Sequence, residues 1–321
     1  MQIISQFAPL PLAQPEKGTA VAMGFFDGIH LGHAALLDRT RQRAQALGLT
    51  PAALSFDTHP DTLVFGTAVP LLNTMAEREL LMRRLCGMEQ VIFAHFDEAM
   101  MHMPWQVFVE DYLVRQLHAK HVVCGHDFHF GDRGQGDPAR LQEKCRELGI
   151  GCDVIPEIRV DGSAVSSTRI RKAVEEGDIP TANRLLGRPF GFSLEVIHGN
   201  HIGTGLGTPT INQAIPEGFV LPRFGVYASW CRVGGQFFYG VTNVGVKPTV
   251  GSDKVLAETW MPEFSGDLYG KRVRVFLLEF LRPERKFASL EELKAAITYN
   301  GRQAQAVAAR TPPPAFPASR G

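Results

Sequence analysis

The stretch Val21-Ala22-Met23-Gly24-Phe25-Phe26-Asp27-Gly28-Ile29-His30-Leu31-Gly32-His33-Ala34-Ala35-Leu36-Leu37 decides how the chain is read. Val21 to Met23 is an apolar run of strand length that Gly24 ends, and Phe26-Asp27-Gly28 carries a turn. Residues 34–47 follow with good helix formers and apolar positions at Leu36, Leu37, Ala44 and Leu47. A strand, a glycine turn and a helix start together make an anion site, because unpaired N–H groups and the helix dipole point into it. His30 and His33, three apart, share one face of the first turn and can both reach an anion there. Two plainer readings stand beside this one. A histidine at a helix start often serves as a cap, and a pair at this spacing can bind a metal, although no Cys, Asp or Glu follows at ligand spacing. The glycine on each side and the helix N-terminus favour phosphate over metal.

The 321 residues suffice for two domains, and 45% apolar content can fill sizeable cores. Lys plus Arg equals Asp plus Glu at 33 each, so no global field draws the chain to nucleic acid or an acidic membrane. The five cysteines are odd in number and contain no C-x-x-C pair, which reads as reduced thiols of a cytoplasmic protein. The first residues lack a basic export signal, and no run approaches 18 apolar residues, so the expectation is a protein without membrane partners.

Beyond the opening unit, residues 50–56 are a strand candidate that runs into Asp57-Thr58-His59-Pro60. Ligands in open α/β sheets bind at the C-terminal edge of the strands, which is where this loop falls. Residues 75–85 and 104–117 are helical by pattern, the second with a core-facing stripe of Trp105, Phe108, Val109, Tyr112 and Leu113; residues 90–94, 121–125 and 151–155 are strands. The loop 126–137, rich in glycine and aromatics, either lies over a planar ligand or is a plain surface loop. Ser166-Ser167-Thr168-Arg169-Ile170-Arg171 precedes a helical stretch at 172–176. Hydroxyls there cap free N–H groups, and the two forked cations suit a polyphosphate. Alternating strands and helices predict a doubly wound parallel sheet.

Four motifs stand in order: Gly24-x-Phe26-Asp27-Gly28-x-His30-x-Gly32-His33, Phe56-x-x-His59-Pro60, Gly125-x-Asp127-Phe128-x-Phe130-Gly131, and Ser166 to Arg171. Together they resemble the adenylyltransferase module of the bacterial bifunctional riboflavin kinase/FAD synthetases. The resemblance implies that Gly24, Phe26, Asp27, His59, Asp127, Phe130, Ser167, Thr168 and Arg171 bind ATP or FMN, and that His30, His33 and Arg169 act on the transferring phosphate.

After a helical stretch at 178–186, Gly187-Arg188-Pro189 breaks the pattern, and the domain boundary is set at 187/188. Short strand candidates follow at 192–198, 225–232, 236–241, 255–260 and 273–281, as in a compact antiparallel β-barrel. Residues 290–297 read as a closing helix capped by Ser289, and residues 303–321 as a disordered tail. Three stretches carry chemistry. Gly203, Gly205 and Gly207 form a flexible loop leading to Thr210 and Asn212; Asn243 lies in a polar set read as a turn; Glu258 puts a carboxylate on a strand, a position more often turned to solvent.

This series resembles the riboflavin kinase domain of the same family, and the two resemblances cover residues 18–302. They imply two domains, 1–187 for FMN adenylyl transfer and 188–302 for riboflavin phosphorylation. Flavins and ATP are the implied small-molecule partners, with Mg²⁺ as cofactor, Thr210 on the metal and Glu258 as the base. The glycines, Asn212 and Asn243 are implied to bind substrate. The family commonly has Arg or Lys in place of Thr204, Ala in place of Ile211, and His-x-x-Asp in place of Trp260 and Glu263. Those departures keep two rivals open: an adenylyltransferase with a degenerate kinase barrel, and a flavin sensor without turnover.

Overall fold

A strand buried on both faces needs an apolar side chain at nearly every position, and residues 19–23 and 50–56 meet that demand. In the computed structural model, which describes residues 2–4, 15–198, 208–249 and 252–315, they form strands β2 (Thr19–Met23) and β3 (Thr50–Phe56), buried along their whole length. With β1 (Gln2–Ile4), β4 (Gln90–Ala94), β5 (Ala119–Gly125) and β6 (Gly151–Ile155) they build a sheet of order β1-β4-β3-β2-β5-β6 in which every pairing is parallel. The strand order reverses between β2 and β5, which makes the C-terminal end of β2 the switch point of a doubly wound sheet. Helix α1 (Leu31–Leu47) starts one turn after β2 and ends at Gly48, whose φ of 68° the left-handed C-cap requires.

Three helices of this first unit, one of them a single turn, are absent from the sequence reading. Helix α2 (Pro60–Phe65) buries none of its residues, so it has no apolar period to detect; its signal is His59 as N-cap followed by Pro60. Helix α3 (Met75–Arg84) lies where the pattern placed it, and a single turn α4 (Glu98–Met101) follows β4. The expected helix over 104–117 opens as α5 (Trp105–Val107) and continues over Phe108–Gln116 with π-helical bonding, burying Phe108, Val109, Tyr112 and Leu113. Helix α6 (Pro138–Glu147), capped by Asp137, buries only Leu141 and Cys145, too few to reveal a period in the sequence.

The chain divides into compact units Met1–Ser166 and Ser167–Gly321, the first closing with a short antiparallel pair, β7 (Arg159–Val160) and β8 (Ser163–Ala164). Helices α7 (Ser167–Glu176) and α8 (Ile179–Leu186) belong to the second unit, upstream of the change in pattern at Gly187. There Asn183 of α8 donates to the Leu277 carbonyl and accepts from Phe190 N–H, tying α8 to the barrel. The barrel strands are β9 (Gly191–Glu195), β10 (Thr210–Ala214), β11 (Gly225–Val233), β12 (Gln236–Thr249), β13 (Ser252–Trp260) and β14 (Arg272–Arg282), in the order β10-β13-β12-β11-β14-β9. Gln213, fully buried, donates to the carbonyls of Leu194 and Val273 and so laces the two free edges together. Inside, the hydroxyls of Ser229, Thr242 and Thr259 form a buried chain with steps of 2.8 and 2.9 Å.

Two expectations for this unit are corrected. The segment from residue 303, expected as a tail, is helical as far as Arg310, because helix α9 (Leu290–Arg310) continues through an alanine-rich segment whose Ala304 and Val307 pack on the barrel. The polar set around Asn243 is no turn but the middle of β12, whose pairing with β13 extends to Thr249.

Gly191 has no room for a side chain: a Cβ there would lie 2.2 Å from the Val275 carbonyl oxygen, which the sheet fixes. Gly191→Ala should therefore destabilise the second unit by about 2 kcal/mol or more, read as a lower urea midpoint.

Candidate active sites

All strands of the first sheet end on one edge, so the segments that follow β2, β3, β4 and β5 gather there. The turn after β2 is built from left-handed residues: Phe26 (φ 58°), Gly28 (φ 82°) and Ile29 (φ 44°). For Phe26 and Ile29 this backbone costs about 1–3 kcal/mol each, which the surroundings must offset. Asp27, 1% exposed, helps: its carboxylate accepts from the N–H groups of Leu72 and Asn73. The turn delivers His30 to the N-cap of α1, where Nδ1 accepts the His33 N–H at 3.2 Å. An accepting Nδ1 means a neutral ring with its proton on Nε2. The His33 ring stacks on it at 3.6 Å and meets Phe26 edge-on at 5.3 Å. The capping and anion-site readings are thus compatible, since the nitrogen that caps is not the one that carries the proton.

Other residues expected at this edge have mixed placements. His59 caps α2 through Nδ1 and packs its ring 4.5 Å from that of Phe25. Asp127 is exposed just beyond β5. Phe130, expected to contact a ligand, is 8% exposed and sits in the core against Phe108 and Phe128, with its backbone paired to Gly136 across the loop. Ser167, Thr168, Arg169 and Arg171 occupy the first turns of α7, which begins five residues earlier than expected, in the second unit. One residue of this edge escaped the sequence reading altogether. Arg78 of α3 is fully buried and donates to the carbonyls of Phe25 and Phe56 and to the Ser55 hydroxyl. Its signal is that Leu81 and Met82, three and four residues on, share its buried face.

In the second unit, Asn212, Glu258 and Asn243 lie directly opposite one another on the adjacent strands β10, β13 and β12. In-register residues share a sheet face, so the carboxylate stands between two amides. Thr210, two residues before Asn212, is on the same face and pairs with Trp260. Asn243 also donates to Glu284 at 3.0 Å. Trp260 packs with Val241 and Tyr239 in the apolar layer beneath α9, and a Cβ at Gly301 would come within 2.9 Å of its ring. This departure from the family pattern serves helix packing. Leu281 and Arg282 of β14 and residues of α9 border an open cleft of about 540 Å³. Gly203, Gly205 and Gly207 lie outside the described residues, as does Thr204. No group of three or more His, Cys, Asp or Glu side chains that could hold a metal occurs among the described residues.

A nucleotide-type turn on a parallel sheet and a barrel with a carboxylate rung define a two-site protein built for phosphate chemistry. Comparisons with known proteins agree. Residues 12–169 match the FAD synthetase family model and residues 186–308 the riboflavin kinase model. The chain is 37% identical to the bifunctional riboflavin kinase/FMN adenylyltransferase of Pseudomonas fluorescens over 92% of its length and 95% of the relative. For the protein of the same name from Haemophilus influenzae the identity is 36%, over 88% of this chain and 91% of that one. A crystal structure described as a macrolide-efflux protein from Streptococcus pneumoniae shares the fold, with a TM-score of 0.82, 25% identity and coverage of 94% and 98%. No helix among the described residues of the present chain is long and apolar enough to cross a membrane. The chain belongs to the bifunctional riboflavin kinase/FMN adenylyltransferase family.

Beside the first site, Asp57 pairs with His95 Nδ1 at 2.6 Å and accepts from Phe96 N–H. Partial burial works against the Asp57 carboxylate, but those two bonds outweigh it and lower its pKa, while the Asp57 hydrogen bond raises that of His95. The lowered carboxylate pKa gives stability that is lost as pH falls through it. The raised imidazole pKa gives stability that is present below about 6.5 and lost as pH rises through the folded value. His95→Asn should therefore destabilise the first unit at pH 5.5 and far less at pH 9, read by urea titration. A difference independent of pH would remove the ion pair from the account.

Proposed function

We propose that this member of the family makes FMN from riboflavin and ATP at the barrel, and FAD from FMN and ATP at the parallel sheet. Residues 1–187 are assigned to adenylyl transfer, residues 188–302 to the kinase, and the cytoplasm to the protein, whose five cysteines form no disulfide among the described residues. The observation that supports two working sites, over a degenerate barrel or a flavin sensor, is the carboxylate of Glu258 held in register between Asn212 and Asn243.

In the kinase reaction the nucleophile is an alcohol. Glu258 takes the proton of riboflavin's terminal ribityl hydroxyl as that oxygen bonds to the γ-phosphorus of ATP, and ADP leaves. A positioned base contributes about 10² to 10⁴ in rate, and positioning and charge neutralisation supply the rest. Mg²⁺, entering with ATP, would supply charge neutralisation on the phosphates. The hard oxygen donors of Thr210 and Asn212 suit it, since Mg²⁺ is ordinarily held by few protein ligands together with water and substrate phosphate.

In adenylyl transfer the FMN phosphate is already an anion and needs no base. Its oxygen bonds to the α-phosphorus of the second ATP, and pyrophosphate leaves. His30 and His33 stabilise charge on the transferring phosphate and leaving group. Arg169 is assigned to the same chemistry, with Ser167 and Thr168, because the FAD synthetase match runs through residue 169; Arg171, on the next positions of α7, is assigned with them. Gly24, Phe26, Asp27, His59, Asp127 and Phe130 are assigned to binding of ATP and FMN, with Asp27 and Phe130 acting through the turn and loop they hold. Gly203, Gly205 and Gly207 are assigned to ATP at the barrel.

Purified protein with riboflavin, ATP and Mg²⁺ should yield both FMN and FAD on chromatography. FAD only from added FMN would indicate a degenerate barrel, and neither product a sensor. Glu258→Ala should lower FMN formation about 10²-fold or more and spare FAD formation from supplied FMN. His33→Ala should do the reverse, with FMN accumulating; normal FAD output in that variant would refute the histidine's role.

A further inference from the structure

We propose that Arg78 is a positioning residue for adenylyl transfer, holding the left-handed turn that presents His30 and His33 and keeping a positive charge beneath it. The inference rests on the assignment of that turn to the ATP site.

Arg78 is fully buried, and a buried guanidinium usually spreads its five donors over several acceptors or a carboxylate. Here one nitrogen does all the bonding. Nη1 donates to the Phe25 carbonyl at 2.8 Å and to the Ser55 hydroxyl and Phe56 carbonyl at 3.1 Å each. The Ser55 hydroxyl donates in turn to the same Phe25 carbonyl at 2.7 Å. Two donors thus converge on the last peptide oxygen before the left-handed run starts at Phe26. The guanidinium also lies 4.1 Å from the centroid of the Phe25 ring, whose edge meets His59.

The turn and α3 are joined a second time. Asp27 accepts from Leu72 and Asn73, directly ahead of the Thr74 cap of α3. Helix and turn therefore hold each other at two points, one through a cation and one through an anion, and Phe26 lies between them in sequence.

The charge on Arg78 has no carboxylate in hydrogen-bond contact, and its Nε and Nη2 make no hydrogen bond among the described residues. Burial lowers its pKa to about 10, with Asp27 and Asp57 acting against that at longer range, so it stays charged at neutral pH. A cation with no carboxylate in hydrogen-bond contact, its field offset only at longer range by Asp27 and Asp57, favours an anion arriving above the turn. Removing it should therefore weaken ATP binding as well as loosen the turn.

The test uses the full chain carrying Arg78→Met or Arg78→Lys, with both activities measured in one preparation. In the methionine variant the KM for ATP in FAD formation should rise about 10-fold or more and kcat should fall, while riboflavin phosphorylation stays within about two-fold. Lysine, which keeps the charge but whose shorter side chain leaves its ammonium short of the position of Nη1, should restore KM more than kcat. Wild-type KM in a folded methionine variant, equal loss of both activities, or lysine no better than methionine would each overturn the proposal. Should the methionine variant fail to fold, lysine decides alone: a lowered kcat for FAD formation with riboflavin phosphorylation intact supports it, and wild-type kcat overturns it. His33→Ala in the same assay separates the two claims. Normal FAD output there removes the histidine site, whereas impaired output beside an unaffected Arg78→Met removes only the clamp.

Discussion

The Phe25 carbonyl is the fixed point of the first unit. It lies just past the end of β2, accepts from both Ser55 and Arg78, and hands the chain to residues whose φ values are unfavourable for L side chains. Without a fixed origin a left-handed turn relaxes, and the helix behind it loses its entry direction. With one, the N-cap histidine is set in place by the backbone. His33 then follows by helix geometry alone, one turn on and stacked on its neighbour. The paired rings are thus a consequence of the turn, and the turn a consequence of buried polar contacts that α3 contributes.

The barrel solves the same problem by a different route. A strand has a period of two, so one strand can serve the interior and the site at once. Thr242 and Thr259 turn inward and join the buried hydroxyl chain, while their neighbours Asn243 and Glu258 turn outward to form the rung. A slip of one residue would exchange the two sets, burying a carboxylate and exposing the hydroxyls. The inner chain therefore specifies the register on which the outer site depends, and Gln213 does likewise beside Asn212 by lacing the barrel's edges.

These differences explain what could be read from sequence. Strands β2 to β6 were legible because most were continuous apolar runs, and the opening turn because its glycines and histidines are unusual at that spacing. Helices α2 and α6 were not, because a surface helix that buries two residues or none leaves no period. The length of β12 was hidden by Gly245 and Pro248, which ordinarily signal a turn but here lie in a strand paired as far as Thr249. Strand β10 was missed because its residues read as the end of a glycine loop. Arg78 was missed for a deeper reason. Among Glu77, Glu79 and Arg83 it reads as one more solvated charge, and the apolar Leu81 and Met82 one turn on are the only sign that its position faces inward.

The division of labour between the two units also follows from the acidity of the groups to be activated. A ribityl hydroxyl is a very weak acid, and in the proposed kinase reaction a carboxylate receives its proton; Glu258, in register between two uncharged amides, is the one assigned. A phosphate monoester is already ionised at neutral pH, and a carboxylate beside it would only repel it. At the proposed adenylyl-transfer site imidazole and a helix N-terminus stand at the turn, and two acids beside it are committed, Asp27 to backbone N–H groups and Asp57 to His95. On that assignment two sites that both use ATP differ in whether a base takes part, and that difference is set by the ionisation of the acceptor.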